Sequence, residues 1–324
     1  MNTLGNRLRV TVFGQSHAPY VGAVIEGLPV GMKTDEEALR AFLERRRSHH
    51  LPWQTPRAEK DEPRILCGIE NGTVVSPLIA AVFENADTDS SVYHANVPRP
   101  GHADLAALMK YGEKIDLRGG GCFSGRLTLP LCFAGGLCLQ LLEERGIRLK
   151  ADILSVGGCR EKEKFEEIML LAREKGDSVG GEIVLRLSGV PAGLGDGMFG
   201  GMENRLAAAL FGIPAVKGVE FGDTRDCGSV NNDGYAYDGE KIRFLSNHAG
   251  GILGGISTGE EIRVTLRVKP APSVSLPQKS VDLDTGKDTV LTLSGRHDAC
   301  ILPRVLPCAE AAAACVIADM LMGG

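Results

Sequence analysis

Aromatic residues make up only 5% of this 324-residue chain, with a single tryptophan. That scarcity argues against the stacking platforms that hold single-stranded nucleic acid. Positive charge is not in excess either: 36 Lys and Arg stand against 41 Asp and Glu, a formal net charge of −5. Nothing draws the chain as a whole to a nucleic acid or an anionic membrane, so any anion-binding surface has to be local. The nine cysteines form no Cys-x-x-Cys pair, and most stand in apolar runs where a free thiol packs as a small hydrophobe. This predicts a reducing compartment, the cytoplasm. The seven histidines show no metal-ligand spacing, so no metal site is expected. No apolar core near the N-terminus marks a signal peptide. The longest apolar stretches, 129–142 and 311–322, are interrupted by Gln140 and Asp319, and neither reads as a membrane span.

Glycine is plentiful. Its 42 residues are nearly double the usual share, which predicts many tight turns or a backbone that approaches a ligand closely. Short β-type runs are expected at 9–13, 21–27, 65–69, 74–83, 149–156, 181–187, 215–221, 262–268 and 289–293. Helical spacing appears from a Thr34/Glu37 capping box to Arg45-Arg46-Arg47, and at 105–111, 127–144, 161–175, 203–211 and 305–322. Helices and strands mix without a regular crossover period, and no repeat or linker is visible. The expected class is therefore α+β, as one domain over 1–324.

Several segments can carry chemistry. Asp116-Leu117-Arg118-Gly119-Gly120-Gly121 precedes Ser124, Arg126 and a helix; such glycines suit backbone donors facing a phosphate, or serve only as turn makers. It is neither a Walker A loop nor a Gly-x-Gly-x-x-Gly fingerprint. Arg99-Pro100-Gly101-His102-Ala103-Asp104 places a histidine at a helix start, where the dipole disfavours imidazolium and would hold His102 near its titration point; a surface histidine is the plainer reading. Gly295-Arg296-His297-Asp298 sets a cation, a switchable base and a carboxylate in a row, as a catalytic group or a salt-bridged turn. Arg45–Arg47 either solvate a helix end or clamp an anion bidentately. Asn247–Gly255 is a second glycine-dense segment, suited to backbone contact with a ligand or to a flexible loop.

Taken in order, Phe13-Gly14-Gln15-Ser16-His17, Arg99–Asp104, Arg118–Gly121, Pro214–Glu220, Asn247–Gly255 and Gly295–Asp298 resemble the signatures of the chorismate synthase family across essentially the whole chain. The resemblance implies anti-1,4-elimination of phosphate from 5-enolpyruvylshikimate 3-phosphate to give chorismate, a carbon–oxygen lyase step of the shikimate pathway leading to aromatic amino acids. It also implies reduced FMN, with NADPH as the ultimate reductant, although the reaction involves no net redox change. By the resemblance, His17 protonates or hydrogen-bonds the leaving phosphate. His102 stands beside the reduced flavin, and Asp298, oriented by Arg296 and His297, helps carry the C6 proton by way of flavin N5. FMN contacts are implied for Ser124, Ala215, Gly254, Lys269, Ser273 and Arg296, and substrate contacts for Arg46, Arg118 and Arg126. The implied fold is a β-α-β sandwich with sheets in the centre and helices outside, assembled as a homotetramer, with no nucleic-acid or membrane partner. No reductase segment is visible, so reduced flavin is expected from elsewhere.

The chain departs from the family pattern mainly at anion and flavin contacts. Cys122 stands where an arginine is usual, Leu127 where a glutamate is usual, and Pro52 near another arginine position. Two readings stay open at this level. In one the enzyme has rebuilt its phosphate site with His49, His50 or Arg57. In the other the fold persists as a binding or assembly protein, or as a lyase for another phosphorylated cyclic acid.

Overall fold

Alternation of apolar and polar residues builds two antiparallel sheets in the computed structural model, which describes residues 2–47, 51–54, 61–86, 96–293 and 298–323. The first contains β1 (Thr3–Leu4), β2 (Arg9–Gly14), β3 (Tyr20–Glu26), β4 (Arg64–Cys67) and β5 (Leu78–Glu84), in the order β1-β2-β3-β5-β4. The second contains β6 (Arg148–Val156), β7 (Gly181–Ser188), β8 (Val216–Phe221) and β9 (Ile262–Val268), in the order β8-β9-β7-β6. In β9, Ile262, Val264, Leu266 and Val268 are buried while Arg263, Thr265 and Arg267 face away from the core. The register pairs Val264 with Leu185 and Leu266 with Ile183 on the neighbouring strand, so one face of the sheet is continuously apolar.

The helices are α1 (Glu36–Glu44), α2 (Asp104–Tyr111), α3 (Thr128–Glu143), α4 (Phe165–Glu174), α5 (Met202–Phe211), the single turn α6 (Gly228–Asn231) and α7 (Leu302–Leu321). Most of α3 and nearly all of α7 are buried. A helix without a polar face has to be covered on every side. α3 packs on β2, β3 and β5, α7 packs on β6 and β7, and the two helices pack on each other. The α+β class therefore stands, but the expected layer order is reversed: the sheets lie outside and the helices between them. The physical reason is that α7 is a small-residue apolar cylinder that must be covered on every side, while the outward sheet face carries arginines such as Arg263 and Arg267. The segment Arg118–Glu143 has the length and hydropathy of a membrane span, but in the fold its first part is a glycine-rich turn and its helix, α3, is flanked by α7 and a sheet.

α3 and α7 run parallel and in register. Cys132 Sγ lies 3.8 Å from Cys308 Sγ and Cys138 Sγ lies 3.9 Å from Cys315 Sγ. Between these pairs, a Cβ on Gly135 would fall 2.3 Å from Ala311 Cα, so the backbones approach as closely as the missing side chain allows. Two buried carboxylates fix α7 in place. Glu310 accepts from Arg45 Nη1 at 2.6 Å, Arg45 Nη2 at 2.8 Å and the Ala151 N–H at 2.8 Å. Asp319 accepts from the backbone N–H groups of Asn6, Arg7 and Leu8 and from Arg205. Each buried charge is thereby paired and hydrogen-bonded.

The helix-start reading of Thr34 is corrected by one residue: Asp35 is the N-cap, its carboxylate accepting the Ala38 N–H at 2.9 Å. The hairpin Tyr235–Asp238/Lys241–Phe244 and the strand Gln278–Asp282 escape sequence reading because they are largely exposed and carry little of the burial alternation that marks a strand, whereas the run expected at 289–293 overlaps the strand Lys287–Leu291 that pairs with Gln278–Asp282. We expect Gly135→Val to destabilise the chain by about 3 kcal/mol or more through overpacking. Gly228→Ala, whose Cβ meets nothing within 4 Å, should stay within about 0.5 kcal/mol. Denaturant midpoints of the two variants check this.

Candidate active site

Because α3 and α7 are parallel, both present their N-terminal ends at the same end of the core, and Arg46 ties these ends together. It follows α1, is 3% exposed, and donates through Nε to Thr128 Oγ1 at 2.8 Å and through Nη2 to the Gly125 carbonyl at 3.0 Å. Its own carbonyl accepts from Arg304 Nε at 3.1 Å. Burial lowers the Arg46 pKa from its ordinary value, with the Arg304 charge adding to the effect. Neither α3 nor α7 has an acidic residue in its first turn or a side-chain cap. Two positive helix ends therefore point at one region, an arrangement suited to anions.

The glycine loop lies directly before α3. Gly119, Gly120 and Gly121 all take positive φ, 59°, 88° and 53°, a run that side-chain-bearing residues rarely adopt. A Cβ at Gly119 would fall 2.7 Å from His17 Nε2, so the glycine makes room for the imidazole. The Ser16 N–H donates to the Gly121 carbonyl at 3.1 Å. Asn85 secures the same turn by donating to the Gln15 and Ala18 carbonyls at 3.1 and 2.7 Å. Asn85 Oδ1 accepts from Arg126 Nε at 2.8 Å, which joins the His17 turn to the arginines. Arg118 makes a two-pronged pair with Asp116, at 2.9 and 2.8 Å, and this hydrogen bonding holds the Asp116 carboxyl below its ordinary range. Ser124 caps the turn that follows, its Oγ accepting the Arg126 N–H at 3.3 Å.

Asp298 enters the region from the start of α7 and accepts from Arg304 Nη1 at 2.8 Å. Its orientation was expected from Arg296 and His297, which lie outside the described residues, as do His49, His50 and Arg57. The partner on hand is Arg304, in the first turn of α7. The next residue, Ala299, donates its N–H to the Trp53 carbonyl at 3.0 Å and accepts the Val179 N–H at 2.8 Å.

His102 belongs to a second group of residues. Pro100 can only accept at its carbonyl, so His102 Nδ1–H donates there at 3.1 Å, and Nε2 accepts the Ser273 hydroxyl at 2.9 Å. Burial first, and then the Arg99 charge, push the His102 pKa down to about 4. It is thus neutral at pH 7 and well away from its titration point, contrary to the expectation from the helix dipole. Arg99 itself is paired with Asp104 at 2.7 and 2.9 Å; burial pushes that carboxyl up but the arginine outweighs it. Lys269 donates its ammonium to the Gly101 carbonyl at 2.6 Å and its N–H to the Ala215 carbonyl at 2.9 Å, with Ala215 at φ 75°. Ser178 Oγ donates to the Ala271 carbonyl at 2.6 Å. Through residues 178–179 this group is joined to the Asp298 segment.

A family model for chorismate synthase matches residues 8–322. The chain belongs to the chorismate synthase family. A chorismate synthase from Korarchaeum cryptofilum is 40% identical over 348 aligned positions, covering 98% of this chain and 96% of the relative. One from Thermococcus gammatolerans is 42% identical, with 98% and 97% covered. A crystal structure of chorismate synthase matches with a TM-score of 0.75 at 26% identity, covering 98% of this chain and 93% of that one. The family activity is that of a carbon–oxygen lyase of the shikimate pathway, and the chain is an enzyme of this class.

Of the residues that the chorismate synthase pattern singles out, the structure gathers His17, Arg118, Ser124, Arg126, Arg46 and Asp298 around the two helix starts. It gathers His102, Ser273, Lys269 and Ala215 in the adjoining group. Gly254 stands apart, at the tip of the Ile252–Leu253/Ile256–Ser257 hairpin. The neighbouring Gly255 carbonyl accepts the Met202 N–H that opens α5, so about 15 Å of helix separates this hairpin from Ala215. Arg296 lies outside the described residues. Sequence reading missed Asp61, Asn85, Thr128 and Arg304. Only Arg304 carried a signal, a cation six residues after Asp298 in the first turn of a helix.

The His102 shift sets a pH dependence. A histidine with a folded pKa near 4 and an unfolded one near 6.5 stays neutral when folded, so its stabilising share is full above about pH 6.5 and is lost as pH falls towards 4. We expect the His102 ring protons in the flavin-free chain to titrate near pH 4 by NMR, and stability to fall between pH 6.5 and 4 less steeply in His102→Asn.

Proposed function

We propose that the chain converts 5-enolpyruvylshikimate 3-phosphate to chorismate at the shared N-terminal end of α3 and α7, with reduced FMN held against the His102 group. The observation that carries this reading is the convergence of His17, Arg118, Arg126 and Asp298 on that end, where two helix dipoles and several cations meet. A substrate with one phosphate and two carboxylates needs such a concentration of positive potential.

The residues around His102 fit a flavin. Lys269 supplies a cation and Ser273 a hydroxyl, and in the adjoining glycine loop Ser124 supplies another hydroxyl where a Cβ on Gly120 would approach only Ser124, at 3.5 Å, so backbone there lies open to a planar ring. Ser124, Ala215, Lys269, Ser273 and Arg296 are the proposed contacts within one subunit, and Gly254 a further one. When bound, reduced FMN supplies transient electron density to the substrate.

The roles of the chain's own groups follow from their chemistry. Arg118 and Arg126 hold anionic oxygens of the substrate, with Arg46 behind them setting the wall of the site. His17, kept in place by Gly119 and the Asn85 bonds, gives a proton or hydrogen bond to the departing phosphate oxygen. Neutral His102 holds its proton at Nδ1 and offers Nε2 towards the Ser273 hydroxyl, so a negative charge placed beside it draws a proton to that ring. Asp298, fixed by Arg304, carries the proton lost from C6. NADPH as ultimate reductant, a homotetramer and a cytoplasmic setting complete the proposal.

The missing arginine at Cys122 leaves one fewer charged contact, worth roughly 1.5–3 kcal/mol if buried. We therefore expect Cys122→Arg to tighten FMN, measured by fluorescence quenching; unchanged affinity would mean the site is rebuilt around Cys122. In anaerobic assays with chemically reduced FMN, His102→Ala and Asp298→Ala should each lower turnover by about 10²-fold or more with the fold intact. Arg304→Ala should lower it by about 10-fold, by releasing Asp298 and the Arg46 carbonyl that Arg304 also holds. Near-native turnover in a variant removes that residue from the mechanism.

A further inference from the structure

Arg46 and Arg126 converge on a single carboxylate that neither the motif pattern nor the relatives' names point to. Asp61 Oδ2 lies 3.4 Å from Arg46 Nη1, and Asp61 Oδ1 accepts from Arg126 Nη1. All three side chains are nearly inaccessible, at 4%, 10% and 5% exposure for Arg46, Arg126 and Asp61. The remaining edges of the two guanidiniums are also held. Arg46 donates to Thr128 and Gly125, and Arg126 donates to Asn85 and to the Glu84 carbonyl at 3.0 Å. Arg46 is thus braced from the start of α3 and Arg126 from the end of β5, and among the described residues Asp61 is the carboxylate that touches both. Asp61 itself takes positive φ, 52°, which aspartate tolerates better than most residues but which is uncommon.

Two buried cations facing one region repel each other and would rotate apart unless an anion stands between them. Asp61 supplies that anion and leaves the pair with one net positive charge. The substrate brings a phosphate and two carboxylates to the same place, so the spacing of the two guanidiniums decides how its anionic groups are received.

We propose that Asp61 is a positioning residue for substrate: its carboxylate sets the separation and orientation of Arg46 and Arg126 at the anion site. This rests on the reading of that site as the place where 5-enolpyruvylshikimate 3-phosphate binds. A purely structural brace would affect flavin, substrate and stability together, whereas a positioning residue affects substrate alone.

The test uses Asp61→Asn, which keeps the shape but cannot hold two guanidiniums equally, and Asp61→Glu, which restores the charge. Oxidised FMN affinity is measured by flavin fluorescence. Affinity for 5-enolpyruvylshikimate 3-phosphate is measured by the emission of Trp53, the only tryptophan, whose carbonyl is bonded to the residue after Asp298. We expect Asp61→Asn to weaken substrate binding and raise KM by about 10-fold or more, with kcat changed less than KM and FMN affinity within about 2-fold, and Asp61→Glu to recover most of the loss. Unchanged substrate affinity in Asp61→Asn overturns the proposal, as does an Asp61→Asn chain that fails to fold or loses FMN and substrate in equal measure. If the native chain itself binds no substrate, the functional reading fails, whatever Asp61 does.

Discussion

Gly135 lets α3 lie against α7 so closely that one added methyl group would overlap Ala311. That contact fixes the helices parallel and level with each other, and the consequences run outward from it. The sheets can cover the pair only from its two sides, which gives the layer order. The helix starts come out side by side, which gives the anion site. The glycine loop before α3 and the Asp298 segment before α7 are then neighbours by construction, although 174 residues separate Arg304 from Pro130 in the first turns of the two helices.

Charge is handled in two ways within this frame. Far from the site, Glu310 and Asp319 are buried with full sets of donors, and each anchors α7 to a distant part of the chain: Arg45 and β6 for one, the N-terminal segment and α5 for the other. At the site the balance among the described residues tips to positive, since Arg46, Arg118, Arg126 and Arg304 stand against Asp61, Asp116 and Asp298. His102 is kept neutral by burial, so the adjoining group holds a polar ring that adds no charge until an anion is placed beside it. A mobile, well-solvated cluster of arginines could attract the substrate equally well, but it could not hold reacting groups in fixed places.

Much of this was legible in the sequence. The strands at 9–14, 20–26, 181–188 and 262–268 announce themselves by alternation, and α3 and α7 by apolar runs ending at Gly146 and Met322. The catalytic candidates were found because ordered motifs, each weak alone, agree with one another. Layer order was not legible, because periodicity reports that a helix is apolar all round without saying what covers it. The dependence of Arg46 on Thr128 and Asp61 was hidden for a similar reason: three arginines in a row read as one basic helix end. In the fold they diverge, Arg45 to Glu310, Arg46 to the site and Arg47 back to Glu44. Asp61 and Asn85 sit in polar loops, where a carboxylate or amide gives no sign of what it will meet. The pKa of His102 depends on burial and on Arg99, neither of which a helix-start argument includes.

Whether substrate phosphate leaves at the common end of α3 and α7 is decided by a crystal structure with 5-enolpyruvylshikimate 3-phosphate and oxidised FMN. The phosphate is expected within hydrogen-bond distance of His17 and Arg118, with the ring between Arg126 and the His102 group. Substrate seated instead in the charged groove at the far face, lined by Arg45, Arg148, Lys150 and Arg186, would contradict it.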